Sequence, residues 1–210
     1  MGILDSVFGK KNEEKIKEPV KVQPVDDSIS LFNSGVQFYD SGNYERAEDE
    51  LRKLLRLNPG HKQAHYYLGR ICESRMQGDD DFETMEEAMN KYQEAIKVDP
   101  NYIDAHIRLG GLYVKSGFYE GAMRELEEAL RINPSSAEAH AAMGDACYTI
   151  GIGKEIKVEH PAGVGATSDF RGAKEYYKKA VEEFNEAIKL SPHLADKLQP
   201  LIQRARQKSK

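Results

Sequence analysis

Residues 103–136 read IDAHIRLGGLYVKSGFYEGAMRELEEALRINPSS, a thirty-four-residue unit on which the fold turns. Leu109, Tyr113, Leu126, Ala129 and Leu130 recur at helical spacing and predict a buried stripe. Gly110 and Ala122 are small enough to let two antiparallel helices approach closely. Lys115-Ser116-Gly117 interrupts the first helix, since glycine costs about 1 kcal/mol relative to alanine inside a helix. Asn133-Pro134 ends the second, because proline disfavours a helical residue before it and brings no donor. The stretch is a helical hairpin that hands the chain directly to the next one.

The same landmarks recur outward in both directions. Residues 28–61 carry Leu31, Ser34-Gly35, Phe38, Ala47, Leu51 and Pro59, with Asp27 or Ser28 predicted to cap the first helix. Residues 62–102 open on His65-x2-Leu68-Gly69-x2-Cys72 and close on Ala88-x3-Tyr92 and Pro100. Seven surplus residues lie there within Arg75–Met85, where Gly78-Asp79-Asp80-Asp81 marks a loop. Thr84-x-x-Glu87 reads as a capping box for the helix that follows.

Residues 137–193 follow a second such box, Ser135-x-x-Glu138, and carry His140-x2-Met143-Gly144-x2-Cys147 and Gly151. The register then breaks for twenty-four residues until Ala180-x3-Phe184, Ala187 and Pro192. Ile152–Thr167 is predicted as loop, while Phe170, Ala173, Tyr176 and Tyr177 recur helically and lengthen the second helix. Both insertions fall between the two helices of their unit, so they are expected on one edge, as a second contact surface. Residues 194–210 form a closing helix with Leu198, Leu201 and Ile202 on one side and a basic tail. Pro200 requires that helix to start shortly before it or to kink.

His106-x2-Leu109-Gly110-x2-Tyr113, Ala122-x3-Leu126 and Pro134 follow the tetratricopeptide pattern, and the chain resembles a tetratricopeptide repeat (TPR) protein over Ser28–Gln207. The resemblance implies an all-α, right-handed superhelix of four helical hairpins plus a C-terminal capping helix. It implies a non-catalytic adaptor or scaffold rather than an enzyme. In that family the first helices line a concave surface, which here reads Phe32, Val36, Tyr39, Tyr66, Arg70, Glu73, Ile107, Gly111, Val114, Ala141, Asp145 and Tyr148. Seven of these twelve are bulky apolar or aromatic residues. Such a strip marks a groove for a peptide or amphipathic helix of a partner protein, with Arg70, Arg108 and Lys115 as anchors for an acidic group on it. The competing reading packs these side chains between neighbouring first helices, or under the chain's own Val20, Val22 and Val25. The family's chaperone-tail receptors use a clamp of lysines, asparagines and an arginine. Arg108 fits it, but Phe32 and Val36 stand where lysine and asparagine belong, which disfavours a chaperone tail.

Composition narrows the remaining classes. A net charge of -5 and a pI near 5.8 argue against nucleic acid as partner. No run of eighteen apolar residues spans a membrane, and Ile3-Leu4 and Val7-Phe8 are too short and broken for a secretory core. A cytoplasmic location is expected. Cys72 and Cys147 occupy one repeat position two units apart, roughly 20 Å by helix layers, too far for a disulfide, and read as small buried hydrophobes. His65, His106 and His140 likewise share a position in successive units and are read as aromatic fillers, since one metal ion cannot collect them. Gly151-x-Gly153-Lys154 lacks the hydroxyl residue and first glycine of a phosphate loop, and Gly163-Val164-Gly165-Ala166 is at most a backbone anion nest. No cofactor, metal site or catalytic residue is predicted.

Residues 1–27 read as a flexible tether, with a mixed charge run over Lys10–Glu18 and breaks at Pro19 and Pro24. Ile3, Leu4, Val7 and Phe8, followed by Lys10-Lys11, outline a short amphipathic foot. It offers a weak peripheral membrane contact through residues 1–11. Met1-Gly2-Ile3-Leu4-Asp5-Ser6 also matches the myristoylation pattern. The alternative function is therefore a self-assembling scaffold held on a membrane surface by this segment.

Overall fold

The computed structural model describes residues 24–78, 81–155 and 170–210. Among them the helices run α1 (Pro24–Asp40), α2 (Tyr44–Leu57), α3 (Lys62–Arg75), α4 (Phe82–Val98), α5 (Ile103–Lys115), α6 (Tyr119–Ile132), α7 (Ala137–Glu155), α8 (Phe170–Leu190) and α9 (Ala195–Lys208). A 3-10 turn over Pro192–Leu194 leads into α9. The pairs α1/α2, α3/α4, α5/α6 and α7/α8 make the most extensive contacts, and each second helix packs on the next first helix. This is the all-α solenoid of four hairpins and a closing helix expected from the repeat spacing. No helix among the described residues is long and apolar enough to cross a membrane.

Small residues set the distance between the helices of a hairpin. A Cβ on Gly110 would stand 2.7 Å from Cγ of Leu126, so a larger residue there would push α5 off α6. Between these helices the backbone turns through Gly117 at φ 75°, in the left-handed region that glycine enters without a Cβ penalty. Leu51, Tyr92, Leu126 and Phe184, one from each second helix, are fully buried. Cys72 and Cys147 are buried free thiols. Burial pushes Cys72 up to about 11, with Glu87 and Glu48 adding to the effect, and burial pushes Cys147 up to about 12. Both are inert toward thiolate chemistry at neutral pH.

Several local expectations are corrected. The first helix begins at Pro24, so neither Asp27 nor Ser28 caps it, and Val25 belongs to the helix rather than to an extended tether. The second unit's cap is Asp81, whose carboxylate accepts from the backbone N–H of Thr84 at 3.3 Å; Thr84 itself lies inside α4. Starting the helix at Phe82 adds most of a turn of backbone hydrogen bonds and outweighs the capping box. Likewise Ser136, not Ser135, caps α7 by accepting from Ala139 N–H at 3.2 Å. That helix does not stop at Gly151 but continues to Glu155, with Gly151 buried against the ring of Tyr177. Ile152–Glu155 are thus helical. The rest of the expected loop, the glycines at 163 and 165, Asp79-Asp80, and the foot and tether through Gln23 lie outside the described residues. Pro200 sits inside α9, which starts five residues earlier at Ala195.

Candidate partner-binding groove

The first helices α1, α3, α5 and α7 form the inner wall, with direct contacts between α1 and α3 and between α5 and α7. Its first half is aromatic. Phe32 lies 4.9 Å from the ring of His61 and 5.9 Å from that of Tyr67. Tyr67 is also flanked by Tyr39 at 5.3 Å and Tyr66 at 5.7 Å, and Tyr66 continues to Tyr102 at 5.3 Å. Phe32, Tyr39, Tyr67 and Tyr102 are half-buried, which leaves ring edges on the wall. Tyr67 and Tyr102 were missed in the sequence because neither falls on the strip positions; Tyr102 precedes the first residue of α5.

The apolar strip is less open than its residue types suggest. Tyr66 and Ile107 are each only 8% exposed. Tyr66 packs with Tyr92 and Leu109, and Ile107 with Ala129 and Ala139, so both chiefly support the wall and show only an edge on it. Val114 leans on the cluster of Leu126 and Met143, and Tyr148 on Tyr177 at 5.6 Å. Val36 is half-buried. Among the described residues, the large hydrophobics that stand exposed are Ile29, Leu57, Phe82, Val98 and Phe118, none of them a strip residue.

The second half of the wall holds a recess of about 310 Å³ between α3, α5, α7 and α9. Ile107, Gly111, Ala141 and Ala142 make its floor, and Glu73, Arg108, Lys115, Glu138, Asp145 and Lys197 its sides. Nothing lies within 4 Å of where a Cβ on Gly111 would be, so the backbone there is open to a ligand. Glu73 is engaged from two directions: the Tyr92 hydroxyl donates to it, and Arg108 lies 3.9 Å away. Arg108 also meets the Tyr66 hydroxyl. Asp145 stands exposed at the rim of the recess, where the neighbouring walls raise its carboxyl above its usual range and Lys197 partly offsets them. Lys197 belongs to the closing helix, and only the tertiary fold brings it to the recess.

The three repeat histidines are bonded individually, and they are more than fillers. Nε2 of His65, His106 and His140 meets the carbonyl of Pro59, Pro100 and Pro134 at 2.9, 3.0 and 3.0 Å. Nδ1 of His106 reaches Glu125 at 2.8 Å and that of His140 reaches Glu183 at 2.7 Å, whereas Nδ1 of His65 is buried without a partner. A second cleft, of about 690 Å³, opens between α6 and α8 beside Tyr119, Met123 and Tyr176, with Ile150 at its base.

Tetratricopeptide repeat models match residues 33–103 and 83–146. The photosystem I assembly protein Ycf3 of Acaryochloris marina (strain MBIC 11017) is 33% identical over 85 residues, 37% of this chain and 51% of that protein. The chain thus spans about half the length of the curated relative it matches. MamA 41-end from Desulfovibrio magneticus RS-1 superposes with a TM-score of 0.56 at 19% identity, over 87% of this chain and 91% of that one. The second TPR domain of human RPAP3, in complex with the HSP70 peptide SGPTIEEVD, superposes with a TM-score of 0.51 at 21% identity, over 59% of this chain and 98% of that one. At these identities both structures speak for the fold alone.

Proposed function

Since the chain belongs to the tetratricopeptide repeat family, we propose that it is a non-catalytic adaptor whose concave face takes a peptide or helical segment of a partner protein. The observation that carries this reading is the recess floored by Gly111, Ala141 and Ala142. Small residues on a helix face let another backbone approach closely, and the charged sides orient what enters. Half-buried Phe32, Tyr39 and Tyr102 extend the same wall toward the first hairpin. The RPAP3 domain shares the fold and holds an acidic peptide; here Phe32 and Val36 stand where a clamp for such a tail has lysine and asparagine, so a different segment is the better match. The segment's affinity would come from apolar burial, roughly 25 cal/mol per Å² before ordering costs.

Gly111→Leu tests the proposal without disturbing the stack. The added side chain points into open space and leucine is the better helix former by roughly 0.8 kcal/mol, so the melting temperature should hold or rise. Partners retained by the wild-type chain in a quantitative pull-down should be lost. Their binding segments, measured by calorimetry, should weaken at least tenfold; equal retention and affinity would refute the groove. The membrane-scaffold alternative rests on Met1–Lys11, outside the described residues, and liposome cosedimentation with and without residues 1–11 decides it.

A further inference from the structure

Among the cations of the inner wall, Arg70 is placed differently from Lys62 and Arg108. Lys62 lies over the Tyr102 ring at 5.2 Å but is also bonded to Asp99, and Arg108 is engaged by Glu73 and the Tyr66 hydroxyl. Arg70 instead lies over ring faces, its guanidinium carbon 4.8 Å from the Tyr39 centroid and 5.9 Å from that of Tyr66. Among the described residues no carboxylate is within ion-pair distance of it. Asp40 and Asp104 act with Arg70 on the Tyr67 hydroxyl, yet neither closes onto the guanidinium.

A guanidinium held over ring faces with no carboxylate partner keeps N–H donors to offer a ligand. Half-burial weakens their hydration and contact with the rings restricts the side chain, so part of the ordering cost of binding is met beforehand. We propose that Arg70 reads an aspartate or glutamate side chain on the partner segment, with that segment's neighbouring apolar side chain resting on Phe32 and Tyr39. One fork and one positive charge match one carboxylate, which accepts two parallel hydrogen bonds; a phosphate dianion would call for a second cation beside it. The assignment rests on the concave face being the binding face, and it adds the chemistry of what is bound there.

A displayed library of random linear twelve-residue peptides, panned on the full chain, supplies a defined probe. Peptides enriched by the wild type should share an acidic residue at fixed spacing from a bulky apolar one. Arg70→Gln should abolish the acidic preference and weaken the selected peptides about tenfold, while Arg70→Lys should retain it. Replacing that acidic residue by lysine should give a peptide that binds Arg70→Glu more tightly than it binds wild type. Circular dichroism verifies that each variant is folded; a loss of helix in Arg70→Gln leaves the charge-swapped pair as the deciding measurement. Enriched peptides that are lost with Gly111→Leu but carry no acidic position, or keep it in Arg70→Gln, overturn the assignment alone. A wild-type chain that enriches nothing over Gly111→Leu overturns the groove reading and this assignment together.

Discussion

His106 ties three pieces of chain with one side chain. It sits on α5, its Nε2 meets the Pro100 carbonyl in the turn before that helix, and its Nδ1 meets Glu125 on α6. A carbonyl and a carboxylate both accept, so this geometry suits a ring protonated on both nitrogens. Burial disfavours the charged ring, but the hydrogen bonds to Glu125 and to Pro100 outweigh it and raise the His106 pKa above the ordinary 6.5. A folded-state value above the unfolded one stabilises the protein fully below pH 6.5, and that contribution fades as pH rises through the folded value. Glu125→Gln should therefore cost about 1 kcal/mol at pH 6 and progressively less above it. Urea unfolding of both proteins between pH 5.5 and 8.5 checks this, and a difference independent of pH would contradict it.

The same bolt joins the two helices of the third and fourth hairpins; the first has Leu31 in the histidine's place, and the second has the histidine without its acceptor. His140 reaches Glu183 across α7 and α8 as His106 reaches Glu125 across α5 and α6. Carried into the second hairpin, that position holds Lys91, opposite the buried, unpartnered Nδ1 of His65. Lys91→Glu should supply the missing acceptor and raise stability by about 1 kcal/mol, read as a higher urea midpoint with unchanged slope; His65→Phe should cancel the gain. Hairpin order and register were legible because glycine, alanine and proline recur at fixed spacing for steric reasons local to each hairpin. Caps were less so: Thr84 and Asp81 both carry a capping oxygen, and the longer helix decides between them only once its added turn finds packing. Tyr66 and Ile107 face inward as their register requires, but how closely neighbouring first helices approach determines how much of each is covered. No local pattern encodes that distance.

The whole molecule is a row of hairpins in which each layer is buried mainly by its neighbours, so the last layer needs a lid. Leu198, Ile202 and Ala205 of α9 are fully buried, the first two in one cluster with Met143, Cys147 and Phe184 and the third beside Tyr177. Lys208 pairs with Glu155 and fastens the end of α9 to the end of α7. A chain ending at Leu194 uncovers that cluster, and at roughly 1.5–3 kcal/mol for each large side chain exposed the loss is several kcal/mol. Stability in a stacked array is close to a sum of unit and nearest-neighbour contributions, so the damage should fall off with distance from the cut. Hydrogen exchange on the shortened chain should show α7 and α8 losing protection by several orders of magnitude while α1 to α4 keep most of theirs. Uniform loss across all helices would mean that the four hairpins unfold as one unit. It would also mean that the recess, which α9 walls with Lys197, opens and closes with the entire array rather than with its last layer.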